Sequence, residues 1–102
     1  MSEIIVFAGT TEGCDISNFL AEHQIHVLAC VATDYGSKSL KENEYLKIHA
    51  GRLTEPEMEA LLNEKKPEMV LDATHPYAAE VTENIRTACE KTQTPYRRVL
   101  RE

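Results

Sequence analysis

Hydrophobic and polar positions along this chain alternate between two kinds of pattern. Residues 3–8, EIIVFA, form a short apolar run without alternation, the mark of a strand buried on both faces, and residues 25–32, IHVLACVA, repeat it. Between them, from Glu12 to about His23, Ile16, Phe19 and Leu20 fall at i, i+3 and i+4 and give a helix one apolar face. Thr33 to Asn43 is polar, with room for a loose turn around Ser39–Lys41. Residues 45–50, YLKIHA, alternate, with Leu46 and Ile48 on one face, as in a strand nearer an edge.

The second half repeats the scheme. Thr54 with Glu57 three residues on has capping-box spacing, and Pro56 is tolerated in the first turn of the helix they open. Met58, Leu61 and Leu62 form its apolar stripe, and Pro67 ends it. Residues 68–74, EMVLDAT, predict a fourth strand. A third helix follows from about Pro76 to Lys91, with Ala78, Val81, Ile85, Ala88 and Cys89 on one face. Pro95 introduces a short last strand, Tyr96 to Leu100. Helices interleaved with doubly apolar strands imply an α/β fold: a Rossmann-like, five-stranded parallel sheet with helices on both faces. Right-handed crossovers favour the strand order 3-2-1-4-5, and the order 2-1-3-4-5 is the rival.

Composition changes this picture only at its margins. The 102 residues suit a single domain, 1–102. A formal charge of −6 argues against non-specific nucleic-acid binding, which needs a basic surface. It leaves open an anionic ligand held by backbone N–H groups. Cys14, Cys30 and Cys89 lack metal or redox spacing and read as reduced, buried thiols. His23, His26 and His49 are scattered, so no metal site is expected. With no long apolar run and no signal-like start, a cytoplasmic protein that does not engage membranes is the expectation.

In such sheets ligands bind at the carboxyl ends of the strands, beside the switch between strands one and four. Two loops converge there. Gly9, Thr10, Thr11, Glu12 and Gly13 open onto a helix N-terminus, where free N–H groups and hydroxyls suit a phosphate. The plainer alternative is a tight turn with Thr10 or Thr11 as N-cap. If Gly13 makes room for the ligand, valine there obstructs binding and leaves the sheet intact. Thr33 and Asp34 end strand two; an acid at this place takes the ribose hydroxyls of NAD, whereas Ser37 and Lys38 nearby suit a 2′-phosphate. A solvated acidic turn is the alternative. In the second loop, His75 offers a donor, a general acid or a piece of substrate wall, or simply caps or packs at the helix start; Pro76 suits the first helical position, and Tyr77 is expected to have a buried stem and an exposed hydroxyl. Arg97, Arg98 and Arg101 form either a solvated basic end or a carboxylate-binding cluster.

Three segments in this order, GTTEG at 9–13, DATHPYA at 72–78 and PYRRVLRE at 95–102, resemble the precorrin-6A and cobalt-precorrin-6A reductases of cobalamin biosynthesis. The resemblance implies two Rossmann-like halves, NADPH as cofactor, and reduction of one double bond of a carboxylate-rich tetrapyrrole precursor. With that cofactor, Gly9 to Gly13 with Thr33 and Asp34, from their place in the fold, are expected to hold it; the implied substrate would account for His75, Pro76, Tyr77, Arg97 and Arg101. No catalytic residue follows from it. Ala8 and Cys14 stand where the family usually has glycine and arginine, which removes one anion contact. Family members are about twice as long, so the chain is expected to be an N-terminal half that binds but does not turn over without its partner half. A non-catalytic nucleotide-binding or regulatory domain of the same fold is the rival from another class. A phosphoacceptor receiver would want acids after strand one, where Ala8 and Gly9 stand, and an epimerase would want a Tyr-x-x-x-Lys pair, which does not occur.

Overall fold

In the computed structural model, which describes residues 3–32, 40–75 and 77–99, β1 (Glu3–Phe7) lies at the centre of the sheet. It pairs in parallel with β2 (His26–Val31) on one side and β4 (Met69–Asp72) on the other. Beyond them lie β3 (Leu46–Ala50) and β5 (Tyr96–Arg98), both parallel again. The order is β3-β2-β1-β4-β5, the first of the two arrangements the hydrophobic pattern allowed. The switch between β1 and β4 is the place where loops on opposite sides of the sheet part and leave a crevice.

Among the described residues, three helices complete the fold: α1 (Thr11–Glu22), α2 (Glu55–Lys65) and α3 (Ala79–Thr92). Two apolar clusters lie on the two sheet faces. Ile5, Phe7, Leu28, Cys30 and Val70 pack with Met58 and Leu62 of α2 and with Ile85, Ala88 and Cys89 of α3. Val6, Ala8, Val27, Ala29, Val31 and Leu46 pack with Cys14 and Ala21 of α1. The alternation of clusters along β1 and β2 follows from the two-residue period of a strand.

Local chemistry sets the element ends. The capping box of α2 forms as its spacing predicts: the Glu57 N–H donates to the Thr54 hydroxyl at 3.3 Å, and the Thr54 N–H donates to Glu57 Oε1 at 2.8 Å. The helix stops at Lys65, before Pro67, with Lys66 in the left-handed region. α3 begins at Ala79, later than expected from Pro76. The preceding residues form their own turn, in which the Ala78 N–H donates to the His75 carbonyl at 2.9 Å.

α1 departs from its expected orientation. Its buried residues are Gly13, Cys14, Ser17 and Ala21, while Phe19 is 57% exposed. Small side chains let the helix axis approach the sheet closely, and that proximity outweighs the larger but displaced apolar face. Ser17 is tolerated there because its hydroxyl donates to the Gly13 carbonyl at 2.8 Å.

Candidate functional site

The β1–α1 turn is held from within. Thr10 caps α1, its hydroxyl accepting from the Gly13 N–H at 3.2 Å and donating to the Ala73 carbonyl at 2.7 Å. This links the end of β1 to the end of β4 across the switch. A Cβ on Gly13 would lie 2.7 Å from Ala8 Cα and 3.0 Å from the Cβ atoms of both Ala8 and Ala73. Gly13 therefore serves close helix–sheet packing, one of the separate glycine roles in this fold. The expectation that valine at 13 leaves the sheet intact is corrected by these distances. Gly9 differs: it is exposed, and a Cβ there meets Thr74 Cα at an ordinary 3.4 Å.

At the end of β4, Asp72 is fully buried. Its Oδ1 accepts from the Thr74 N–H at 3.1 Å, the Thr74 hydroxyl at 2.7 Å and Arg98 Nη1 at 3.1 Å. Its Oδ2 accepts from the Tyr96 hydroxyl at 2.7 Å. Arg98 Nη1 also reaches the backbone carbonyls of Asp72 at 3.1 Å and Thr74 at 2.9 Å. Burial alone pushes the Asp72 pKa up, but hydrogen bonds from Thr74 and Tyr96 outweigh it and hold the carboxyl below its usual range. Burial and the hydrogen bond to Asp72 push the Tyr96 phenol well above its usual value, so it remains a donor. The network fixes the path of the chain into His75.

Between these two loops and β3 opens a cleft of about 700 Å³. Phe7 and Gly9 line it from the end of β1 and the turn after it, and Cys30, Val31 and Ala32 from the end of β2 and just beyond. Gly51, Arg52 and Leu53 follow β3, while Met58, Val81 and Asn84 project from α2 and α3. Gly51 has φ +131°, a conformation that favours glycine, and its N–H donates to the Val31 carbonyl at 2.8 Å. Thr74 and His75 close the side nearest the switch. The walls are mainly apolar with a few polar groups at the rim, the usual make-up of a small-molecule site. Cys30 sits in the wall as a thiol pushed up to about 12, first by burial and then by the charge of Glu3, so it is chemically quiet.

Among the residues singled out from the sequence, Gly9 and His75 line the cleft. His75 Nδ1 accepts from the Tyr77 N–H at 3.1 Å, which places the proton of the neutral ring on Nε2. Tyr77 is 90% exposed, with no buried stem, and its ring lies 5.1 Å from that of His75. Thr11 is exposed at the first position of α1, and Glu12 follows it in the first turn. The arginines divide: Arg98 is bound internally, whereas Arg97 is exposed. Thr33, Asp34, Pro76 and Arg101 lie outside the described residues, as do Ser37 and Lys38. Asp72 and the Gly51–Leu53 rim were not singled out, and Arg98 was named only as one of the arginine cluster. A strand ending on an acid beside hydroxyls was a signal for the first, and the glycine after YLKIHA for the rim. Among the described residues no group of three or more His, Cys, Asp or Glu side chains is placed to hold a metal ion. No described helix is long and apolar enough to cross a membrane.

Comparison with known proteins gives this geometry its context. Residues 3–102 match the family described as precorrin-6x reductase CbiJ/CobK. The chain belongs to this precorrin-6x reductase family. A cobalt-precorrin-6A reductase of Priestia megaterium is 33% identical over 98 residues, covering 96% of this chain and 38% of that protein. The cobalt-precorrin-6A reductase of Methanothermobacter thermautotrophicus is 32% identical, covering 96% of this chain and 33% of that protein. The chain thus spans between a third and two fifths of these curated relatives. Among solved structures, a CobK precorrin-6A reductase superposes with a TM-score of 0.84 at 24% identity, covering all of this chain and 40% of that one. The Bordetella bronchiseptica enzyme WbmH, solved with NAD+, superposes at 0.74 with 18% identity over 92% of this chain and 36% of that one. These two likenesses carry the fold. The precorrin-6x reductase assignment rests on the family match.

Proposed function

We propose that this chain is the cofactor-binding, N-terminal domain of an NADPH-dependent precorrin-6A or cobalt-precorrin-6A reductase. The observation that carries the reading is the apolar cleft at the carboxyl ends of β1, β2 and β3, with Gly9 at the switch, in a chain of this family. The residues present fit a dinucleotide. Val31, Leu53, Met58 and Val81 offer apolar walls for a flat heteroaromatic ring, and Arg52 brings a cation to the rim for a phosphate. Gly9 has no side chain to obstruct a pyrophosphate approaching the α1 N-terminus, where the positive end of the helix favours an anion. When bound, NADPH supplies the hydride that reduces a carbon–carbon double bond.

The chain's own residues bind and orient. Thr10 ties the phosphate-facing turn to Ala73, so the two loops flanking the switch keep a fixed separation. His75 presents Nε2–H as a donor to a substrate carboxylate, held in that tautomer by the Tyr77 N–H. Tyr77 offers an exposed aromatic face to a large macrocycle. Reduction requires the two carbons to be held within about 3.5 Å and shielded from water. The cleft is open on one side, so the remaining part of the reductase has to supply the opposite wall, and the isolated chain binds without turning over. The test is NADPH oxidation dependent on the precorrin, after adding the remaining part of a relative as a second polypeptide. Activity that appears only with both parts, and falls on His75→Ala, is expected. Reduction by the 102-residue chain alone, at a rate comparable to a full-length relative, would overturn the half-site reading.

A further inference from the structure

β4 is an interior strand, hydrogen-bonded to β1 on one side and β5 on the other, yet it is fully buried on one face only. Val70 and Asp72, which face α3, are fully buried, whereas Met69 and Leu71, on the opposite face, are half-buried. Parallel sheets are covered on both faces almost without exception. The register sets Ile4 beside Met69 and Leu71 beside Arg97, so Ile4, Met69 and Leu71 form an apolar floor with the exposed Arg97 at its outer edge.

α1 walls this floor on one side. Asn18 accepts from the Lys41 N–H at 3.1 Å, which fixes that flank of α1 toward the β2–β3 connection. Helical geometry then turns Ile16 and Leu20 to the opposite flank, toward β4. Both are half-buried, and Leu20 packs on the same cluster as Ile4 and Leu71. The groove is therefore apolar on its floor and on one wall, with a cation at its rim.

Among the described residues, the connections into β4 and β5 do not fill it. The crossovers into β4 and β5 run through α2 and α3, both on the other face. A further right-handed crossover outward from β5 would again lie on that other face. We infer that this groove is the docking surface for an amphipathic helix from the remainder of the reductase chain, packed beside α1, with an acidic residue reaching Arg97. The relatives provide the length for it, since the match leaves 62% of the Priestia megaterium protein outside, 38% being covered. The inference rests on family membership and topology and is independent of what the cleft binds.

The experiment fuses the part of the Priestia megaterium relative left outside the match after Glu102 and compares the fusion with the 102-residue chain. Paramagnetic broadening by a soluble probe is read at the methyl groups of Ile4, Ile16, Leu20, Met69 and Leu71. The expected result is strong broadening in the chain alone and a several-fold reduction in the fusion. Arg97→Glu should lower the melting temperature of the fusion and leave that of the 102-residue chain unchanged. Methyl groups as accessible in the fusion as in the chain alone would overturn the inference. So would a dimer of the 102-residue chain, seen by sedimentation, that protects the same methyl groups, because the groove would then serve a second copy.

Discussion

Replacing Gly13 by alanine adds one methyl group to a helix, a change that ordinarily stabilises by up to about 1 kcal/mol through helix propensity. The structure reverses the sign. The new carbon would sit 2.7 Å from Ala8 Cα and 3.0 Å from two further carbons, where ordinary carbon contacts begin near 3.5 Å. Its nearest neighbour is backbone of the strand end, which has no rotamer to yield, so α1 itself has to move. Overpacking of a close-packed site costs about 1–3 kcal/mol, and a backbone clash belongs at the upper end. Subtracting the propensity gain leaves a net loss of about 2 kcal/mol, or roughly 8–16 °C in melting temperature for a domain of this size. Urea and thermal unfolding followed by circular dichroism measure it directly. An alanine variant as stable as the parent would refute the packing role of Gly13 and return it to the ligand-facing role that its spacing first suggested.

Other substitutions separate the remaining roles. Asp72→Asn should destabilise by about 3 kcal/mol, since it leaves Arg98 without its charge partner in a largely buried network. Because the native Asp72 carboxyl titrates lower than in the unfolded chain, its contribution is complete above about pH 4 and is lost as pH falls through the native value. Melts from pH 7 to 3 should therefore show a steeper acid loss in the parent than in the Asn variant, and parallel curves would contradict the linkage. Cys14, Cys30 and Cys89 are all buried, so a thiol reagent at pH 8 should label none in the folded chain and all three in denaturant. Rapid labelling of Cys30 in particular would contradict a thiol raised to about 12. Gly9→Val should weaken NADPH binding at least tenfold in calorimetry with an unchanged melting temperature, because Gly9 lines the cleft and a Cβ there meets Thr74 at an ordinary 3.4 Å.

The positions of most elements were legible because doubly apolar runs and helical stripes have distinct periods; the strand order was narrowed to two, of which the favoured one formed. The capping box at Thr54 and Glu57 is purely local chemistry and formed as read. α1 was misread for a nameable reason: periodicity weights large side chains, whereas close packing selected the small residues Gly13, Cys14, Ser17 and Ala21. α3 began late because His75 and Ala78 closed a turn of their own, a choice between two local hydrogen-bond patterns that composition does not decide. The candidate site was half legible. Gly9 and His75 could be found because strand ends point to the crevice. The division of the arginines could not, since it depends on which side of β5 each one leaves and on a partner, Asp72, that lies 26 residues earlier in the chain.

The central claim, that the cleft takes NADPH, is tested most directly by titrating NADPH into the isotopically labelled chain and mapping amide shifts. The account predicts saturable shifts at Gly9, Ala32, Gly51, Leu53 and Val81, absent from the Gly9→Val variant. Saturable shifts confined to Tyr77 and Arg97, or no shifts at all, would contradict it.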